Sequence, residues 1–245
     1  MTTALAAPIP DGSGPSAAAP PCAASVLAVT ARPGQEAESL GGLVYAYRRA
    51  GATVSLLCLT RGEAAGGNSA SGRLEAIRPW ELQLAAAVLG IGEVAVANYQ
   101  DGKLHQYPLA EVAGRIRQAI RRHSPDLVLV IAPEAGDGDV GDAAVARAAV
   151  AACSRGGVPL LARTRPGVPG GWLIDLGADA VTARAIQRSA AAAHTSQSEA
   201  LPGLMRRLDL LGGQEAVRWL LFPRPVPARP ALKPWPLPDP AAAAL

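Results

Sequence analysis

Three clusters of side chains in this chain carry the chemistry it could do. The first, Arg32, Gln35 and Glu36, lies in VLAVTARPGQEAESLGG, residues 26–42; the second is Asp137-Gly138-Asp139-Val140-Gly141-Asp142; the third is Ala193-His194-Thr195-Ser196-Gln197. Residues 25–29 are a short apolar run rich in β-formers, Pro33 and Gly34 break it, and from Glu36 apolar residues return at helical spacing as Leu40, Leu43, Val44 and Tyr47. The pattern predicts a strand, a tight turn and a helix. Such a turn lies at the carboxyl end of a strand in an open α/β sheet, where ligands bind and where the helix's first N–H groups favour anions. Arg32 on that turn could hold a phosphate or carboxylate. The acidic run joins oxygen donors to glycine flexibility, as hard cations require, but lacks the terminal Glu of an EF-hand. Its plainer reading is an exposed loop in which Asp142 caps the next helix.

The elements that must position these clusters alternate along the chain. Strand and helix pairs are predicted at 25–29 with 36–50, 53–59 with 74–89, 93–97 with 109–122, and 127–131 with 143–153, followed by a strand at 171–176 and a helix at 180–193. Strands alternating with helices of this length imply right-handed βαβ crossovers. The expected fold is a three-layer α/β/α domain with a mainly parallel, Rossmann-like sheet. Residues 1–24, rich in Ala, Pro, Gly and Ser, are expected to be a disordered lead; 25–222 form the α/β domain. In 223–245 proline recurs every two to four residues and favours polyproline II, with Trp235 hinting at docking.

Composition narrows the function classes. At 245 residues the chain is long enough for one sizeable core, and with 49% hydrophobic but only 4% aromatic residues and a single Phe that core must be aliphatic and alanine-rich. The net charge of +3 is dispersed, and Arg121-Arg122 and Arg206-Arg207 read as solvated helix faces, so no nucleic-acid surface is expected. Cys22, Cys58 and Cys153 are widely spaced without a C-x-x-C pair, which argues against a disulfide framework or cysteine zinc site and for a reducing cytosol. The opening residues have no basic region typical of a signal peptide, and no apolar run approaches the ~20 residues that span a bilayer.

The clusters also carry a resemblance. Ala31-Arg32-Pro33-Gly34-Gln35-Glu36 followed by Gly41-Gly42, then Thr60-Arg61-Gly62-Glu63, Gly66-Gly67-Asn68, Arg78 and Glu81 leading to Leu89-Gly90, Asp101-Gly102-Lys103-Leu104, and finally Ala193-His194-Thr195-Ser196-Gln197, follow in order and spacing over residues 26–201. This series resembles the PIG-L/LmbE family of zinc-dependent N-acetylglucosaminyl deacetylases, whose entry motif reads A-H-P-D-D-E. The resemblance implies that the family's histidine and second aspartate, both zinc ligands, correspond to Arg32 and Gln35, and that its first aspartate, the base that activates water, corresponds to Gly34. The family's H-P-D-H motif has as its best counterpart the stretch holding Asp139 and Asp142. Arginine has no lone pair for a metal, glutamine is a poor zinc donor and glycine has no side chain.

Loss of both Lewis acid and base implies a divergent member without zinc-dependent activity, a pseudoenzyme with no cofactor. Its pocket of Arg32, Glu36, Arg78, Asp101, Asp139, Asp142 and His194 would accept a polar or anionic sugar-like ligand. The alternative is an active N-acyl-sugar deacetylase that uses zinc or another divalent cation at an altered site built from Glu36, Asp139, Asp142 and His194. Several roles stay open. Arg32 could pair with Glu36, Asp139 or Asp142, with Glu36 or Asp142 expected; Arg78 and Asp101, at family positions associated with the sugar, could contact substrate, or Arg78 could pair with Glu63, Glu75 or Glu81. His194, in the intact A-H-x-S-Q motif, could touch ligand or finish a helix. His105 could line the pocket mouth, while His123 ends a helix and favours its dipole.

Overall fold

The computed structural model describes residues 17–65, 73–135 and 139–222. The Gly66-Gly67-Asn68 motif, Asp137 and Gly138, and the proline-rich tail with Trp235 lie outside the described residues. In chain order the elements are β1 (Ala17–Ala18), β2 (Ser25–Thr30), α1 (Gln35–Glu38), α2 (Gly41–Arg49), β3 (Thr53–Thr60), α3 (Leu74–Leu89), β4 (Glu93–Tyr99), α4 (Leu109–His123), β5 (Leu127–Ile131), α5 (Val140–Gly156), β6 (Leu160–Arg163), β7 (Gly171–Asp175), α6 (Ala180–Ala192), α7 (Leu201–Leu211) and β8 (Gln214–Leu221). One eight-stranded sheet runs in the order β1-β7-β8-β6-β5-β2-β3-β4. It is parallel except where β8 runs antiparallel to β6 and β7.

The central strands are apolar on both faces, as a sheet covered by helices on both sides requires. Every residue of β5, LVLVI, is buried, and in β2, SVLAVT, only Ser25 is not. Helix α4 turns Val112, Ala113, Ile116 and Ala119 inward and packs on α5, whose buried alanines at 144, 148, 149 and 152 permit close approach. Helices α2, α3 and α6 pack together as the other layer. The chain steps outward from β2 to β3 and β4, then returns to place β5 on the other side of β2, so the strand order reverses between β2 and β5. A crevice opens at such a reversal, above the carboxyl ends of the strands. The turn after β2 and the first turn of α5 meet there.

Three differences from the expected elements have physical causes. The single helix expected over 36–50 is two, because the chain breaks at Ser39 and Leu40 to lay Gly41 and Gly42 against buried polar groups. A Cβ on Gly42 would come within 2.1 Å of Glu215 Oε1, a gap that only glycine fits. Strands β6 and β8 and helix α7 were not anticipated: β6 is four residues long, and β8 reads as a strand only once β6 and β7 are there to pair with it. The lead expected not to pack makes one pairing, as Ala17–Ala18 runs parallel to β7.

Candidate functional site

The turn between β2 and α1 is organised by Gln35. Gly34 has a φ of 102°, which lets the backbone reverse without a Cβ penalty, and the Gln35 side chain then folds back over the strand end. Its Oε1 accepts from the N–H groups of Ala31 at 2.9 Å and Arg32 at 3.3 Å. Its Nε2 donates to Asp142 Oδ1 at 2.7 Å. The Arg32 guanidinium pairs with Asp139 Oδ2, both side chains about one-third exposed at 34% and 33%. Asp139 is also the N-cap of α5, its Oδ1 accepting from the Gly141 N–H at 2.7 Å. Two expectations are thereby corrected. The cap is Asp139, with Asp142 one turn into the helix and buried, and the partner of Arg32 is Asp139 rather than Glu36 or Asp142, both of which have other partners.

Glu36 is fully buried beneath the turn. One carboxylate oxygen accepts from the Gly34 N–H at 2.8 Å and the other lies 2.5 Å from His194 Nε2. On the far side of the imidazole, Nδ1 is 4.0 Å from Glu81 Oε2. Glu81 in turn accepts from Thr195 Oγ1 at 2.8 Å and from the N–H and Oγ of Ser196, each at 2.6 Å. The Ala193-His194-Thr195-Ser196 stretch therefore clamps the end of α6 to α1 and α3.

Arg78 is not paired with Glu63, Glu75 or Glu81. From α3 it donates to the carbonyl oxygens of Gly62 at 2.7 Å and Pro33 at 2.6 Å, tying the turns after β3 and β2 together. Asp101, in the turn after β4, accepts from Thr60 Oγ1 at 3.1 Å, from the Ala64 N–H at 3.2 Å and from the Gly102 N–H at 3.1 Å. His105 is exposed on a short 3-10 helix, and His123 ends α4 with Nδ1 3.7 Å from Glu93 Oε2.

Electrostatics follow from burial and these pairings. Burial, then the neighbouring charge of Asp139, pushes the Asp142 carboxyl up to about 6, against the Gln35 hydrogen bond and Arg32. Burial disfavours the Arg32 charge, but Asp139, with Glu38, Asp142 and Asp101, more than offsets it, so its pKa rises. Burial lowers that of Arg78 despite Asp101 nearby. Arg32 is thus a cation among carboxylates, its Nη1 engaged by Asp139.

The positions aligned with the family's metal ligands do not fit zinc. A catalytic zinc site takes three protein donors with lone pairs to give. Arg32 is a cation bonded to Asp139, and the Gln35 carbonyl oxygen is occupied by two backbone N–H groups. Among the described residues no group of three His, Cys, Asp or Glu side chains is placed to hold a metal ion. Cys58 is buried and its thiol is pushed up to about 12, largely by that burial.

All seven candidate residues thus gather around the strand ends: Arg32 is bonded to Asp139, Glu36 to His194 and Asp142 to Gln35, while Arg78 and Asp101 bind the turns beside them. Others were missed. Arg184 and Glu215 form a deeply buried pair at 2.5 Å, and Gln187 beside them donates to the Ala37 carbonyl at 2.7 Å, seating α1 from below. Gly41-Gly42 signalled a close approach but not which residues approached. Arg163, which donates to the Ala135 carbonyl at 3.1 Å, lies within the field of Asp142 and Glu215.

The comparisons with known proteins agree with this fold. A family model described as PIG-L: GlcNAc-PI de-N-acetylase matches residues 27–153. A curated relative named probable N-acetyl-alpha-D-glucosaminyl L-malate deacetylase 2, from Bacillus anthracis, is 31% identical over 113 residues, 44% of this chain and 50% of the relative. The chain therefore spans about half the length of that relative. Among solved structures, N,N'-diacetylchitobiose deacetylase from Pyrococcus horikoshii superposes with a TM-score of 0.66 at 18% identity over 82% of this chain and 84% of that one. A deacetylase of the teicoplanin biosynthesis pathway gives 0.66 at 18% identity over 80% and 96%. At such identities the likeness is one of fold.

Proposed function

Since the chain belongs to the PIG-L family, we propose that it is a deacetylase-fold protein that binds a small polar, sugar-like ligand without zinc-dependent hydrolysis. One observation carries this reading: Gln35 Nε2 donates to Asp142 Oδ1 at 2.7 Å while Arg32 pairs with Asp139, so the positions where relatives would place metal ligands satisfy one another. A network of this kind has no unused lone pairs converging on one point, which a metal demands. The strand order reverses between β2 and β5, where open α/β sheets bind ligands, and the part-exposed Arg32 and Asp139 side chains there suit hydroxyl groups, which both donate and accept. A cytosolic location belongs to the same reading, supported by Cys22, Cys58 and Cys153 being free thiols.

The altered-site enzyme has one observation in its favour. His194 and Glu36 form an imidazole–carboxylate couple at 2.5 Å, of the kind that moves protons in hydrolases, but both groups are buried below the turn and bonded to scaffold. A single experiment separates the readings: elemental analysis of the purified protein, with acetate release measured from N-acetylglucosamine and N,N'-diacetylchitobiose. The binding reading expects no stoichiometric zinc and no acetate, with saturable binding of one of these sugars by calorimetry. Chelator-sensitive acetate release would overturn it.

A further inference from the structure

Helix α3 carries candidate-site residues on one side and an uncharged apolar face on the other. Beyond Glu75 in its first turn, its charged side chains are Arg78 and Glu81, and both are buried. From residue 76 to the helix end the exposed positions are Ala76, Trp80, Gln83, Leu84, Ala87 and Val88. Trp80, Leu84 and Val88, at 66%, 44% and 43%, are three of the eight large hydrophobic side chains exposed among the described residues, and their i, i+4 spacing makes them a single ridge. Helix α4 sets the contrast, since it turns Glu111, Gln118, Arg121 and Arg122 to solvent. A contiguous apolar face on a chain otherwise covered this way marks an interaction surface.

Strand β4, into which α3 leads, is open on its outer side. It is the last strand of the sheet, and among the described residues no strand pairs beyond it. An edge strand presents a row of unpaired N–H and C=O groups, which proteins ordinarily blunt with lysine, proline or an inward charge. The β4 sequence, EVAVANY, has neither lysine nor proline, and its one charge is at its first residue. Because α3 connects β3 to β4, ridge and edge lie along the same border of the sheet.

Together the two features specify what covers them. A stable complex buries roughly 800 Å² on each partner. A helix of 16 residues offers a face about 24 Å long and about 10 Å wide, too little alone, so the occupant engages the strand edge as well. The segment 223–245 does not suit an edge, because proline recurs in it every two to four residues and has no N–H to give a ladder. A second copy of the chain suits both. Antiparallel pairing about a two-fold axis at Val96 sets Glu93 opposite Tyr99 of the second copy, so like charges do not face each other. The same axis, normal to the sheet, keeps both α3 helices on one face with their dipoles opposed. No charge on the ridge meets its own copy there, and the Gln83 amide has a donor and an acceptor for its counterpart.

We propose that α3 and β4 form a two-fold interface with a second copy of this chain, in which the sheets join edge to edge and Trp80, Leu84 and Val88 are covered. Sedimentation velocity of the full chain across the micromolar range, with amide hydrogen exchange of β4, tests it. The expected mass is that of at least two copies, and Leu84→Glu and Trp80→Glu, both at exposed positions, each halve it with the circular dichroism spectrum unchanged. The outward N–H groups of β4 exchange roughly tenfold more slowly in the unmodified protein than in either variant, since they are bonded only across the axis. A mass of one copy at every concentration overturns the interface and leaves the face to segment 223–245 or to a different protein. A larger mass that neither substitution changes overturns it too, by placing the contact elsewhere. Halving without faster exchange in β4 overturns the joining of the sheets.

Discussion

Gln35 and Asp142 meet side chain to side chain, Nε2 to Oδ1 at 2.7 Å, although 107 positions separate them. The contact joins the turn after β2 to the first turn of α5 across the reversal of strand order. A bond between these two positions stands where a shared metal would otherwise join them, and it makes the ligand-aligned positions a closed polar set.

Reopening that set should create a metal site. Arg32→His, Gln35→Asp and Asp142→His together supply three donors of the zinc-binding kind on the same two segments. The triple variant is expected to bind zinc near one equivalent per chain by elemental analysis, and the unmodified protein is expected to bind none. Adding Gly34→Asp, to restore a base, should lower the melting temperature, because a non-glycine residue at a φ of 102° costs about 1–2 kcal/mol. A triple variant with no zinc would show that the backbone has moved too far for the family geometry.

Removing the Arg32 charge should have a small effect. The pair with Asp139 is one-third exposed on both sides, and ion pairs at the surface are worth at most ~1 kcal/mol. Arg32→Met should therefore lower the melting temperature by no more than about 2–4 °C in a chain of this size. A drop of ten degrees in thermal denaturation would mean the pair carries far more of the turn than its exposure allows.

Asp142 should leave a mark on the pH dependence of stability. Its folded-state carboxyl titrates near 6, above the ordinary value of 3.8, so between those values the folded chain holds more protons than the unfolded one. Stability contributed at this position is therefore greatest below about pH 4 and declines as pH rises towards 6. Asp142→Asn removes the titration. Denaturant unfolding at pH 4.0 and 6.5 should show the variant gaining on the unmodified protein, by on the order of 2 kcal/mol, as pH rises. A difference between the two proteins that is flat with pH would refute the shift.

The couple beneath the turn should be costly to break. Glu36 is fully buried and His194 is 3% exposed, so His194→Phe leaves a carboxylate in the interior with the Gly34 N–H as its remaining partner. Removing one member of a buried pair costs about 3–5 kcal/mol. We expect the melting temperature to fall by roughly 10 °C. Glu36→Gln added to the variant should recover part of that loss, since it takes away the stranded charge. An unchanged melting temperature for His194→Phe would contradict the pairing.

Much of the fold was legible because its signals are local. The apolar run of β5 and the helical spacing of α3 and α4 fall where periodicity placed them, and Gly90 and Gly157, in the left-handed conformation, end α3 and α5. Substitution of the metal-ligand positions was equally local, since whether Arg32, Gly34 and Gln35 can hold zinc depends on their side-chain chemistry alone. What the side chains do instead could be known only from the folded chain. Whether Arg32 reaches Asp139 or Asp142 turns on which of two aspartates, three residues apart, caps α5, and a helix cap is decided by backbone direction rather than residue type. The break before Gly41 likewise depends on Glu215 and Arg184 in strand β8 and helix α6, brought beneath it by strand pairing across more than a hundred residues. Local sequence determines which groups are present and which element carries them; the pairing of buried charges is settled only when the sheet order brings distant turns within hydrogen-bond reach.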